Sequence, residues 1–316
     1  METKSIVILG NGFDVALGIP TRYKQFYDRS EDLRKYAQKG NSLCQHILSH
    51  YKSDSCMWSD LEEGLYKYSL DITQKHGENN AEQTRIFEIE FNELRSALFE
   101  YLESVAGTQV SMNEQAPVMG LNIEWSKLNP QYFTFNYSIN TAVTASRNNQ
   151  YDIFNFDDSI NEKRFIYQHG SIFDTQTGKN HDPSEIVVGI DSQTQKVEKA
   201  HSFLYKEKQH LHNLEKTFDY YKKAQFYIIY GCSMGDSDAV YFRAIFNAEQ
   251  RGKVFLIYGY GDAAINSIKS NIQRICRITI DQLSNNNQVE FLDVTKIQET
   301  RDKTRKLINS YISAVN

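Results

Sequence analysis

Four stretches of this chain place glycine or polar residues where chemistry could be done. Gly10-Asn11-Gly12-Phe13-Asp14 follows the apolar run Ile6-Val7-Ile8-Leu9, and Asn136 closes Tyr132-Phe133-Thr134-Phe135. His169-Gly170 follows Phe165-Ile166-Tyr167, and Gly231-Cys232-Ser233-Met234-Gly235-Asp236-Ser237-Asp238 follows Phe226-Tyr227-Ile228-Ile229-Tyr230. Glycines after a strand allow positive φ and let backbone N–H groups approach a phosphate, with the positive end of the next helix at the same spot. The first turn therefore predicts a nucleotide-binding βα unit. An amide, an imidazole and two small-residue turns, all at predicted strand ends, form a constellation, because open α/β sheets bind ligands outside the carboxyl ends of their strands.

Each feature also has a plainer reading. Two glycines occur in any tight βα turn, the third glycine of the dinucleotide fingerprint is out of place, and no acidic residue stands clearly at the end of a second strand to hold a ribose. Asn is common where strands close, and a His before Gly is an ordinary turn residue. Asp236 and Asp238 are placed to cap a helix beginning near Ala239.

The elements that would position these residues follow from periodicity. Residues 21 to about 125 read as helical, with Phe87, Phe91, Leu94, Leu98, Tyr101, Leu102 and Val105 marking one long amphipathic helix. Ser59 and Glu62 make a capping box for another, and the polar stretch from Gln74 to Gln83 reads as a loop. Short strands are expected at Tyr132–Asn136, Phe165–Tyr167 and Ile186–Val188, then a solvated helix over 200 to 223. Strand Phe226–Tyr230, a helix over about 239 to 250, strand Val254–Tyr258, a helix near 263 to 275, strand Val289–Leu292 and a final helix complete the chain. Strands alternating with helices imply a parallel sheet. The fold expected is α/β, a Rossmann-like parallel sheet built from residues 1–20 and 126–316, with residues 21–125 as a large helical insertion after the first βα unit.

With 316 residues, 40% of them hydrophobic, the chain can bury a large core. The net charge of −5 argues against a broad phosphate-neutralising face, so nucleic acid is an unfavoured ligand. Cys44, Cys56, Cys232 and Cys276 are scattered with no CxxC pair, which fits reduced thiols and no metal site. No apolar stretch approaches a membrane span and none reads as a signal peptide, giving the expectation of a soluble cytoplasmic protein. The Tyr and Phe content fits either a partner surface or filled helix seams.

The order and type of these blocks resemble the AbiH family of phage abortive-infection proteins. The matching pieces are LGNGFDVALGIPTRY, WSDLE at Trp58 to Glu62, FNYS at Phe135 to Ser138, HGS at His169 to Ser171, VVG at Val187 to Gly189, and YGCSMGDSDAVYF at Tyr230 to Phe242. Lys206 and Gln209, on a polar helical face, also recur in that family. A more distant similarity is to sirtuin-like NAD-consuming domains, which run in the same order through a glycine turn ending in GIP, a strand ending in Asn, HG, and a Gly-x-Ser turn. The resemblance makes Asn136 and His169 the catalytic residues, with Asn136 on the nicotinamide ribose or the water and His169 as base. It makes Gly10, Asn11, Gly12, Phe13, Asp14, Gly231, Ser233 and Asp238 the nucleotide-binding set, Gly231 and Ser233 lying on the adenosine side.

There are departures too. Phe13-Asp14 stands where sirtuins have Ser, Ser138 where they have Asp, and Arg22-Tyr23 where they have Phe-Arg. The paired cysteines of their zinc module are missing, which argues against protein deacylation. A carboxylate in a phosphate cradle repels the ligand unless it turns to cap the helix or to hold a ribose hydroxyl. The resemblance implies an NAD-hydrolysing defence effector that cleaves the N-glycosidic bond of NAD or a related nucleotide, needs no further cofactor, and is restrained by the insertion, by self-assembly or by a protein partner. The alternative is a catalytically inactive nucleotide-binding sensor or interaction module.

Overall fold

The computed structural model describes residues 5–50, 58–106, 117–137, 165–174, 179–180, 182–209, 211–247 and 251–315. Its centre is a six-stranded sheet, all parallel. The strands are β1 (Ser5–Leu9), β2 (Gln131–Thr134), β3 (Phe165–Tyr167), β6 (Phe226–Tyr230), β7 (Val254–Gly259) and β8 (Gln288–Asp293); β4 (Phe173–Asp174) and β5 (Lys179–Asn180) form a separate antiparallel pair. The order across the large sheet is β3-β2-β1-β6-β7-β8. The chain thus winds outward in both directions from β1, and the strand order reverses between β1 and β6. This is the Rossmann-like arrangement, and the crevice at such a reversal is where these sheets hold ligands.

Both faces of the sheet are covered, which is why β1 and β6 read as unbroken apolar runs rather than alternating ones. Val7, Leu9, Ile228, Tyr230, Leu256 and Tyr258 pack on one face with Phe13 and Trp125. Ile6, Ile8, Tyr227, Ile229, Phe255 and Ile257 pack on the other with Phe133, Tyr221 and Phe242. Much of the aromatic content goes into these two layers: Trp125, Tyr132, Tyr221 and Tyr227 are among the largest fully buried side chains.

Helices α1 (Asn11–Ala16), α2 (Tyr23–Arg29), α3 (Glu31–Gln38), α4 (Ser42–Ser49), α5 (Trp58–His76), α6 (Ala81–Ala106) and α7 (Pro117–Ser126) lie between β1 and β2. Helix α6 contains all seven positions of the expected amphipathic stripe, and all seven are buried. The loop expected over 74–83 is shorter: α5 continues to His76, and only residues 77–80 separate it from α6, with Gly77 and Asn79 at positive φ. Polar residues at its end did not break α5, because its outer face is solvated. Helices α2 to α6 share a third core with Ile172, Ile186, Val188, Ile190 and Leu204, whereas Val118, Leu121 and Trp125 of α7 pack with the sheet.

After β3 come α8 (Lys206–Gln209), α9 (Leu211–Lys223), α10 (Ala239–Ile245), α11 (Gly261–Cys276), α12 (Ile280–Asn286) and α13 (Ile297–Val315). The strand expected at Ile186–Val188 is not one. These residues are buried, but Ile186 makes a single antiparallel bridge to Gly170, and Ile186 and Val188 fill the insertion core. The solvated helix expected over 200–223 also needs correction: His201, Lys206, Thr217 and Tyr221 are buried. The helix expected over 239–250 ends at Ile245, and residues 248–250, together with Ser138 and Cys56, lie outside the described residues. Cys44, Cys232 and Cys276 are free thiols. No helix among the described residues is long and apolar enough to cross a membrane.

Candidate functional site

The glycine turns after β1 and β6 meet at the strand-order reversal. The Gly10 N–H donates to the Tyr230 carbonyl (2.9 Å) and the Gly12 N–H to the Gly231 carbonyl (3.0 Å). A Cβ on Gly12 would lie 2.6 Å from the Gly231 Cα, and one on Gly231, at φ +70°, 2.6 Å from the Phe13 nitrogen. Here the glycines let two backbones interlock. Two N–H groups that a phosphate cradle would offer are already donating to carbonyls.

Above these turns opens a cavity of about 550 Å³, within the range of small-molecule sites. It crosses the ends of β3, β2, β1, β6 and β7, and its lining includes Asp14, Arg22, Asn136, His169, Asp238 and Tyr260. Every residue of the expected binding set except Phe13 also lines it: Gly10, Asn11, Gly12, Asp14, Gly231, Ser233 and Asp238. Phe13 is fully buried in the sheet's core, packed edge-on against Tyr230. Its side chain is therefore a packing residue under the cavity floor.

Asn136 is 3% exposed, and its Nδ2 donates to both the Gly10 carbonyl (3.0 Å) and Asp14 Oδ1 (2.9 Å). Two acceptors on one side fix the orientation of the amide. Its Oδ1 is buried without a hydrogen-bond partner. Asp14 has thus turned toward the Asn136 amide, and both residues line the cavity.

His169 is held from several sides. Gly170, at φ +77°, passes so close to the Glu185 carbonyl that a Cβ would lie 1.8 Å from it, and the Val187 N–H donates to the His169 carbonyl (2.8 Å). The imidazole contacts Phe135 edge-on and lies beside Tyr137. Its Nε2 is 3.0 Å from Asp238 Oδ1 and 3.5 Å from Lys206 Nζ. The shorter contact decides the tautomer: Nε2–H donates to Asp238, leaving the lone pair on Nδ1. Burial and the Lys206 ammonium hold the imidazole below its ordinary value against the opposing pull of Asp238, which favours its neutral form.

Asp238 was expected to cap the helix after it, but its side chain makes no cap bond to α10. Asp191, 2% exposed, does that work, its Oδ2 accepting from the Val240 N–H at 2.9 Å. Asp238 is thereby left to face His169 and Lys206 Nζ, the latter at 2.8 Å. Burial alone would raise its carboxyl; the Lys206 charge, then His169, hold it well below the usual carboxylate range. Lys206 itself is 3% exposed and also pairs with Glu62 Oε1 at 2.6 Å. Burial opposes its charge, but the two carboxylates hold its ammonium above the ordinary value.

Lys206 and Glu62 are site residues that the sequence did not assign. Glu62 was expected to close a capping box at the start of α5, and its carboxylate bonds Lys206 and the Ser237 side chain. The available signals were a lysine in the family pattern and the WSDLE block, whose acid the capping reading had already absorbed. Asp236, the other expected cap, pairs with Arg274.

None of the curated proteins compared with the chain matches it. The profile of the family described as "Bacteriophage abortive infection AbiH" matches residues 6–260, which takes in the glycine turns, Glu62, Asn136, His169, Lys206 and Asp238. The match runs from within β1 to just past β7, and the chain belongs to the AbiH family of bacteriophage abortive-infection proteins.

Proposed function

We propose that this protein serves phage defence by hydrolysing the N-glycosidic bond of NAD or a related nucleotide in the cavity at the strand-order reversal. The observation that carries the reading is the buried Asn136 Oδ1, without a partner, in the same cavity as a neutral, carboxylate-oriented histidine. Such an amide oxygen accepts from a ribose hydroxyl or from the attacking water, and a free imidazole nitrogen accepts the proton that the water must lose. Water oxygen bonds to C1′ as the C1′–nitrogen bond breaks. The bonding pair leaves with nicotinamide as a neutral pyridine, and the proton passes to His169 Nδ1.

The electrostatics favour that route. A transition state with oxocarbenium character gains positive charge on the sugar, and the Asp14 and Asp238 carboxylates, bonded to Asn136 and His169, line the cavity with them. Asp14 beside Asn136 supplies a carboxylate that Ser138, in the position of the sirtuin Asp, does not. Neighbouring strands are about 4.8 Å apart, so a cavity crossing five strand ends reaches about 19 Å, enough for two nucleosides joined by a diphosphate. Arg22 offers a cation along that path, and Tyr260, 78% exposed, offers a ring for a distal base.

Incubation of the purified protein with NAD, alone and with phage lysate, tests the reading. Nicotinamide release that disappears in His169→Ala supports hydrolysis. Binding of NAD without release under either condition supports the sensor instead.

A further inference from the structure

We propose that Glu62, supplied by the helical insertion, is a positioning residue that sets the basicity of His169 through Lys206 and Asp238. The inference rests on the hydrolase reading of His169. Its physical basis is a line of charges: Glu62 Oε1 to Lys206 Nζ at 2.6 Å, Lys206 Nζ to Asp238 Oδ1 at 2.8 Å, and Asp238 Oδ1 to His169 Nε2 at 3.0 Å. One ammonium is shared by two carboxylates, and the same Asp238 oxygen serves both Lys206 and His169.

The sharing has a consequence for the base. With Glu62 ionised, part of the Lys206 charge is answered on the Glu62 side, and Asp238 keeps enough negative potential to stabilise an imidazolium. With Glu62 protonated, Lys206 turns its full charge on Asp238 and stands 3.5 Å from Nε2, so a proton on His169 is opposed. The groups facing the Glu62 carboxylate are Lys206 from α8, Asp238 and Ser237 from the segment after β6, and Tyr137 from the end of β2. Burial pushes the Glu62 carboxyl up to about 7, with the Lys206 ammonium pulling against that and the Asp238 charge adding to it. The line therefore switches in the neutral range. It also makes the insertion a part of the catalytic end, since α5 supplies one of its charges.

The pH profile of nicotinamide release by the full chain, compared between the parent protein, Glu62→Gln and Glu62→Asp, is the test. Gln keeps the size and an acceptor while removing the charge. In the parent, kcat should rise about tenfold through pH 7; in Glu62→Gln it should sit about tenfold lower at pH 7.5 with KM within about twofold, the limb near pH 7 gone. Glu62→Asp should recover part of kcat. A limb near pH 7 that persists in Glu62→Gln overturns the inference. Imidazole titration of His169 by NMR reads the same coupling without turnover: the titration should move to lower pH in Glu62→Gln, and an unmoved titration also overturns it. A moved titration in a protein that releases no nicotinamide would contradict the hydrolase reading and leave the coupling standing; release with an unmoved titration would do the reverse.

Discussion

Asn136 is the residue on which structure and chemistry meet. Both of its amide hydrogens face inward, to Gly10 and Asp14, while its oxygen is buried without a hydrogen-bond partner. Asn136→Ala should therefore cost about 1–3 kcal/mol of stability, read by chemical denaturation, because a buried carboxylate and a carbonyl each lose one of their donors. The same change should weaken binding of NAD in calorimetric titration; unaltered affinity would place the ligand elsewhere. Asn136 and His169 were legible in the sequence because each stands where an apolar run stops, and a strand end is a local signal. Lys206 and Glu62 were not. A lysine with polar neighbours at helical spacing reads as solvated, and only the fold brings the distant carboxylates of Glu62 and Asp238 to it. Asp238 shows the same limit: the local pattern called for a cap, and Asp191, from another segment, took that place.

At the scale of elements, the decisive contact is between the turns after β1 and β6. Each requires glycine because of the other, so Gly231→Ala combines a left-handed backbone position with a clash against the Phe13 nitrogen. It should destabilise the protein by about 2–4 kcal/mol in denaturant unfolding, and a change of under about 1 kcal/mol would mean that the turns do not interlock as described. The sequence showed two glycine turns and suggested an open phosphate cradle, but it could not show that each turn fills the space of the other. The run Ile186–Val188 misled for a similar reason. Apolar β-branched residues fit any buried extended segment, and these cover the insertion core and pin His169 through Val187 without joining the sheet.

At the scale of the molecule, three cores meet around one cavity. The alternation of strands and helices made the parallel sheet legible, and helical periodicity between β1 and the next strand made the helices there legible. The strand order had to come from the fold. One clamp binds the sheet-side helices together: Glu124 of α7, 2% exposed, pairs with Lys127 and, from α13, with Arg305 at 2.9 Å and Arg301 at 3.7 Å. Burial opposes its charge, but Lys127 and Arg305 hold its carboxyl below the ordinary 4.5. A depressed carboxylate contributes stability above its unfolded pKa and loses it as pH falls through the folded value. Glu124→Gln should thus cost about 1–2 kcal/mol near pH 7, the partners being partly exposed, and the difference should shrink in unfolding curves taken below pH 4.5. A deficit that stays constant with pH would contradict the ion-pair origin.

The claim that joins these scales is that the cavity at the strand-order reversal holds a nucleotide with its scissile end at Asn136 and His169. A crystal structure of the His169→Ala protein soaked with NAD tests it most directly. Intact NAD is expected, with the nicotinamide ribose against the Asn136 amide oxygen, the diphosphate beside Arg22, and the distal nucleoside toward Tyr260. An empty cavity at saturating NAD, or a ligand bound with its adenosine end at Asn136, would contradict it.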